Sequence, residues 1–84
     1  AQFSIHPNPV SQLLNVDVQM PSEQISQIQV ITLSGQVIYT EERQLDTFDQ
    51  FEIAVENWAN GVYLIQIKTA QQTLSKRFVK TSAR

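Results

Sequence analysis

The sequence predicts an all-β fold, an antiparallel sandwich of about seven strands, and three observations carry that expectation. First, apolar and polar residues alternate over short stretches. Leu14, Val16, Val18 and Met20 alternate with Asn15, Asp17 and Gln19, and Phe51, Ile53 and Val55 with Glu52, Ala54 and Glu56. Period two sends one side of an extended chain into a core and the other into solvent. Second, turn signals divide the chain at short intervals: Pro7-Asn8-Pro9, Pro21-Ser22-Glu23, Ser34-Gly35 and Asn60-Gly61. Third, no segment carries the apolar spacing of a helix. Short strands at this spacing point to an immunoglobulin-like antiparallel sandwich.

Taken in order, Gln2 to His6 is the first strand. Pro7 and Pro9 stop it, because they remove ladder donors and hold the backbone extended or turning. Leu14 to Met20 is the second and ends at Pro21-Ser22-Glu23. The third runs from about Ile25 to Leu33, with Ile28 and Val30 set against Gln27 and Gln29. Ser34-Gly35 reverses the chain into Val37, Ile38 and Tyr39, so residues 26–42 read as a β-hairpin. The polar stretch from Glu41 to Gln50 reads as a loop, and Phe51 to Val55 as the fifth strand. Asn57 to Gly61 forms a corner, where Asn-Gly supplies the positive φ of a tight reversal. Val62 to Lys68 is the sixth strand. Tyr63 sits where sandwiches place a corner tyrosine whose hydroxyl ties the preceding loop back to the sheet. Thr69 to Gln72 turns the chain into the seventh strand, Leu74 to Lys80. Ala1 and Thr81 to Arg84 read as loose ends of a single domain spanning residues 1–84.

With 84 residues, 42% of them apolar, and no cysteine, the chain must hold one small core without disulfide or thiolate–metal staples. No apolar run approaches the ~20 residues that span a bilayer. No segment has the basic start and apolar centre of a secretory signal, so an exported chain would carry that signal elsewhere. Only 17% of residues are charged, against ~25% in typical domains, and Gln, Ser and Thr cover much of the surface instead. The net charge of −2 conceals an asymmetry: all eight acids lie in residues 1–56 with Arg43 as the only base, giving −7, whereas residues 57–84 carry +5. Such an asymmetry marks either an interaction surface or basic strands pairing beside acidic ones.

Catalytic chemistry finds little support. His6 is the only histidine, precedes a proline and has no nucleophile elbow near it. The carboxylates Glu41, Glu42, Asp46, Asp49, Glu52 and Glu56 match no calcium loop, since the central glycine and the spacing are missing; they read as a solvated acidic face. Gly35 and Gly61 are the only glycines and lie too far apart for a phosphate loop. Trp58 reads as a plug sealing one end of the sandwich beside Tyr63, with an exposed sugar-stacking platform as the alternative. Lys76, Arg77 and Lys80 lack the aromatic interleaving of a nucleic-acid surface. No cofactor, metal or catalytic set is implied.

Four motifs together resemble one family. His6-Pro7-Asn8-Pro9-Val10 followed by Leu14-Asn15-Val16 resembles the opening "YPNPv…l.v" of the C-terminal sorting domains (type A) of the type IX, or Por, secretion system of Bacteroidota. Residues Val30 to Ile38, VITLSGQVI, resemble that family's "vyDlsGrlv" hairpin. Asn60 to Ile67, NGVYLIQI, resembles "kGvYlvki", and Lys76-Arg77-Phe78-Val79-Lys80 is similar to the terminal "kkivk". The motifs occur in order across nearly the whole chain. His6 stands where the family has an aromatic residue and Thr32 where it has Asp, and Thr81 to Arg84 follow the usual end.

The resemblance implies a sorting signal at the C-terminus of a larger cargo protein, without catalytic function. It implies recognition of the folded domain by the outer-membrane translocon and its shuttle protein, after transit through the periplasm. It also implies removal by a sortase-like protease, with the cargo then secreted or held at the cell surface. The last two strands, Gly61 to Lys80, with the cluster Lys76, Arg77, Phe78, Val79 and Lys80, are the expected recognition element, and an accessible edge strand there would allow backbone pairing with a partner or with another copy. Pro7, Asn8, Pro9, Gly35, Gly61 and Tyr63 are expected to maintain the fold. Two other readings fit the composition: a carbohydrate-binding or adhesive module using Trp58, and an inert immunoglobulin-like spacer.

Overall fold

A computed structural model describes residues 2–22 and 24–82. Two sheets stack face to face. One holds β1 (Gln2–His6), β2 (Leu13–Gln19) and β5 (Phe48–Ala54) in the order β1-β2-β5; the other holds β3 (Gln24–Thr32), β4 (Val37–Leu45), β6 (Gly61–Lys68) and β7 (Thr73–Lys80) in the order β4-β3-β6-β7. All strand pairs are antiparallel. The expected sandwich is therefore present, and period two has the expected consequence. Leu14, Val16 and Val18 of β2 and Phe51 and Ile53 of β5 face Ile28, Val30, Ile65, Ile67 and Phe78 of the other sheet, all buried. Each such side chain contributes roughly 1.5–3 kcal/mol on leaving water. Ala1, Ala83 and Arg84, expected as loose ends, and Glu23, expected in a turn, lie outside the described residues.

One expectation is corrected. The polar stretch from Glu41 to Gln50 is mostly strand: β4 continues to Leu45 and β5 begins at Phe48, leaving Asp46 and Thr47 between them. The inner face of β4 is filled by a polar chain in place of an apolar row. Tyr39, Glu41 and Arg43 stand opposite Val30, Ile28 and Ser26 of β3. The Tyr39 hydroxyl donates to Glu41 at 2.6 Å, and Arg43 donates to the other Glu41 oxygen at 3.2 and 3.3 Å. The Arg43 guanidinium lies 4.5 Å above the Phe51 ring, bridging the two sheets. Charges of this kind on an edge strand also oppose edge-to-edge pairing with other chains.

The chain of hydrogen bonds shifts both acids. Burial, and then the hydrogen bond to Glu41, pushes the Tyr39 hydroxyl up to about 12. The hydrogen bond from Tyr39 holds the Glu41 carboxyl below its usual range. Glu41 therefore contributes stability above its unfolded value, and this is lost as pH falls through the folded one. Tyr39 keeps its proton in the fold after the unfolded chain has released its own near pH ~10, so stability falls as pH rises from there towards 12. Urea midpoints measured across pH 9–12 should decline, and Tyr39→Phe should remove part of that decline; an identical alkaline limb in the variant would refute the assignment.

Gly35 turns β3 into β4. Its N–H donates to the Thr32 carbonyl and the Thr32 N–H to that of Gln36, both at 2.9 Å, with φ at +92°. An added Cβ would meet nothing within 4 Å, so alanine here costs only backbone strain, about 1–2 kcal/mol. Thermal melts of Gly35→Ala should show Tm lower by ~4–8 °C per kcal/mol, and an unchanged Tm would show that the turn relaxes freely.

Candidate functional site

The motifs singled out in the sequence converge at one end of the sandwich. Thr32 pairs with Tyr63, Tyr63 with Phe78, and Gly61 with Lys80. This sets the Gly35 turn, the Gly61 corner and the C-terminal end of β7 side by side. The fourth motif arrives from the other sheet. After β1, residues 7–10 cross to β7, and Val10 forms a parallel bridge with Lys80. The Val10 N–H donates to the Val79 carbonyl, the Thr81 N–H donates to the Val10 carbonyl, and the Val79 N–H donates to Asn8 Oδ1, each at 2.9 Å. Both X–Pro bonds of this strap are cis. Pro7 and Pro9 carry no N–H, so its outer side offers few donors.

An aromatic chain fills the corner. Trp58 lies between Tyr39, with ring centroids 6.2 Å apart, and Tyr63, at 5.5 Å; Tyr63 then stacks on Phe78 at 5.5 Å. Such pairs contribute about 0.5–1.5 kcal/mol each beyond burial. The Tyr63 hydroxyl donates to the Ala59 carbonyl, the corner bond expected from its position. Trp58 thus acts as the plug. Gly61, with φ at +154°, leaves the corner in a conformation that favours glycine.

The basic cluster is not a single exposed patch. β7 alternates, with Leu74, Lys76, Phe78 and Lys80 on the core side and Ser75, Arg77 and Val79 on the outer side. Lys80 is only 2% exposed, and its Nζ reaches Asn60 Oδ1 at 3.5 Å; Ser82 Oγ donates to the same oxygen at 3.0 Å. Phe78 is in the core. Lys76 reaches towards the other sheet, its Nζ 5.8 Å from the Phe3 ring. Of the cluster's basic residues only Arg77 stands on the outer face, without an ion pair among the described residues. Nor does β7 pair with an acidic strand: its ladder partner is β6, which has no acid. The ion pairs among the described residues, His6–Asp17 at 3.1 Å and Arg43–Glu41 at 3.2 Å, both fall in the acidic part of the chain. Thr81 and Ser82, expected to be loose, are tied to Val10 and Asn60.

The β7 edge beside the strap is open. Because Val79 turns its N–H and carbonyl outward to Asn8 and Val10, alternation turns those of Ser75 and Arg77 the same way. Elsewhere His6 and Asp17 pair on the exposed face of the small sheet, and no group of His, Cys, Asp and Glu among the described residues is placed to hold a metal. The sequence pattern missed the Asn8–Val79 bond, because nothing local marks a partner 71 positions away. The inward direction of Lys80 was within reach, since it shares the period-two phase of Leu74 and Phe78.

Fold and corner define an immunoglobulin-like β-sandwich whose signature residues assemble one end. The crystal structure of a DUF3244-family protein with an immunoglobulin-like β-sandwich fold from Bacteroides vulgatus is similar to it, with a TM-score of 0.72 over 95% of each chain at 17% identity. No curated protein sequence matches the chain. The model of the family described as "Secretion system C-terminal sorting domain" matches residues 4–81. The chain belongs to that family, and is a sorting signal for type IX secretion.

Lys80 tests how the corner is held. Lys80 has no ion pair among the described residues, and burying an unpaired ammonium carries a desolvation cost that an apolar side chain of similar length removes. Lys80→Met should therefore keep or raise Tm in a calorimetric scan; a large drop would mean that the contact with Asn60 holds the corner.

Proposed function

We propose that this domain is a folded address label that the secretion machinery reads at the end of the molecule remote from the cargo. The observation carrying this reading is the assembly of all four family motifs at one pole. β1 starts at the other: Gln2 pairs with Gln19, and Gln19 with Phe48, whereas His6 pairs with Asn15 close to the strap. The molecule is 40 Å long and 23 by 16 Å across. A cargo joined before Gln2 therefore leaves from the pole opposite the corner, and the motif end faces outward.

In this reading the cargo reaches the periplasm through its own N-terminal signal. The outer-membrane translocon and its shuttle protein then bind the β6–β7 end. A sortase removes the domain near its N-terminal boundary, and the cargo is released or retained at the cell surface. The domain itself is the substrate and contributes no catalytic group. Backbone pairing at the β7 edge, through Ser75 and Arg77, supplies affinity, with the residues of 76–80 that remain accessible tuning specificity.

Deleting Leu74 to Lys80 would remove Phe78 from the core, so loss of export would not separate recognition from unfolding. Ser75→Pro is the sharper test. It blocks an outward N–H on an edge strand, a position where proline is tolerated. The domain is fused to a periplasmic reporter in a type IX-competent host. The wild type should be exported, and the Ser75→Pro fusion, folded by circular dichroism, should stay in the periplasm. Export of the variant at the wild-type level would eliminate backbone pairing at this edge.

A further inference from the structure

Apart from Ile25, 66% exposed beside Gln44 at the N-terminal pole, the outer face of the large sheet is divided into a polar and an aliphatic half. Tyr63, Ile65 and Ile67 of β6 point inward, so Val62, Leu64, Gln66 and Lys68 point out. By the same alternation Gln27, Gln29 and Ile31 of β3 and Thr73, Ser75, Arg77 and Val79 of β7 point out. Near the N-terminal pole the cross-strand rows are polar: Glu42–Gln27–Lys68–Thr73, then Thr40–Gln29–Gln66–Ser75. Towards the motif end the next row is Val37–Ile31–Leu64–Arg77, and beyond it Val62 lies against Val79. Leu33, 73% exposed, follows in the turn, and Val37 is 48% exposed; Ile31, Val62, Leu64 and Val79 between them are half-buried. None of these aliphatic residues packs on the core.

A solvated sheet face is normally polar throughout, and a contiguous exposed aliphatic patch marks an interaction site. We propose that this patch, with Arg77 on its border, is the docking surface for the protein of the secretion machinery that recognises the domain. That partner presents aliphatic side chains and a carboxylate opposite Arg77. The inference rests on the sorting reading above and adds a side-chain surface to it, continuous with the β7 edge. Charge selects the occupant. Arg77 has no ion pair among the described residues, and this half of the face holds no acid. A second copy packed patch on patch would bring only another arginine. An arginine at the margin of an aliphatic centre is also the composition enriched where protein interfaces are tightest.

Ile31→Thr/Leu64→Gln removes the patch and keeps residues compatible with a strand or its solvent face, and Arg77→Glu reverses the border charge. Gln66→Thr in the polar half is the control. Fused to the same periplasmic reporter, the wild type and the control should be exported, while the patch and charge variants, folded by circular dichroism, fall at least ten-fold. Patch and charge variants exported like the wild type would overturn the surface and leave the sorting reading intact; a wild type that is not exported would overturn the sorting reading itself. If the double variant does not fold, Leu33→Ser, in the exposed turn, replaces it. Light scattering on the purified domain should give a monomer. A dimer abolished by Leu64→Gln, or flotation with lipid vesicles abolished by it, would reassign the patch to a second copy or to a membrane and overturn the proposal.

Discussion

The clasp between Val10 and the end of β7 is the constraint on which the rest of the structure depends. A seven-stranded sandwich of two sheets has two open sides. On one, the short passage from β4 to β5 at Asp46 and Thr47 closes the gap covalently. On the other, β1 and β7 belong to different sheets, and their closure needs contacts between residues at opposite ends of the chain. Val10, fully buried, supplies them with its own N–H and carbonyl, and Asn8 adds a side-chain acceptor. Bringing such distant segments together costs loop-closure entropy that rises only slowly with separation. The same bonds occupy the last third of the β7 edge, so closing the core and protecting that edge are one event.

The corner depends on that clasp. Val10 bridges the backbone of Lys80, whose buried side chain meets Asn60, and Tyr63 stacks on Phe78. Tyr63 in turn fixes the loop through Ala59 and supports Trp58, which leans on Tyr39 of β4. A continuous path of contact therefore runs across the large sheet from β7 to β4. Tyr39 extends it along the edge by the polar chain through Glu41 to Arg43 and across to Phe51. Apolar burial supplies most of the stability, but these directional contacts fix how the two sheets close.

Where one face of a strand is apolar, the sequence is legible. β2, β5 and β6 alternate plainly, and Tyr63 announced its corner bond by position alone. β4 was not legible beyond Tyr39, because its inner face is built from Glu41 and Arg43, whose mutual pairing removes the apolar signal on which period-two reasoning depends. The basic cluster is split for a related reason: successive side chains of a strand face opposite ways, so Lys76 and Lys80 lie on the core side and Arg77 on the outer side. The strap was beyond reach, since Asn8 and Val79 carry no local mark of each other. The aliphatic half of the outer face is encoded in the same alternation but becomes visible only when register aligns Val37, Ile31 and Leu64 across three strands.

If the last strand were read as an extended peptide, its recognition would require drawing Phe78 out of the core and Lys80 out of its enclosure, breaking the Val10 clasp and the aromatic chain at once. Burial of Phe78 alone is a contribution of roughly 1.5–3 kcal/mol, so that route opposes the fold. Reading the outer face and the free part of the edge at Ser75 and Arg77 requires no unfolding, because these groups already face solvent. The folded domain is then itself the signal. Substitutions at Gly35, Tyr63 or Asn8 would weaken it by lowering the folded population, whereas substitutions at Leu64 or Arg77 would weaken it with the fold intact. On this reading folding and recognition are separable, because strand alternation places the core on one side of β6 and β7 and the proposed contact surface on the other.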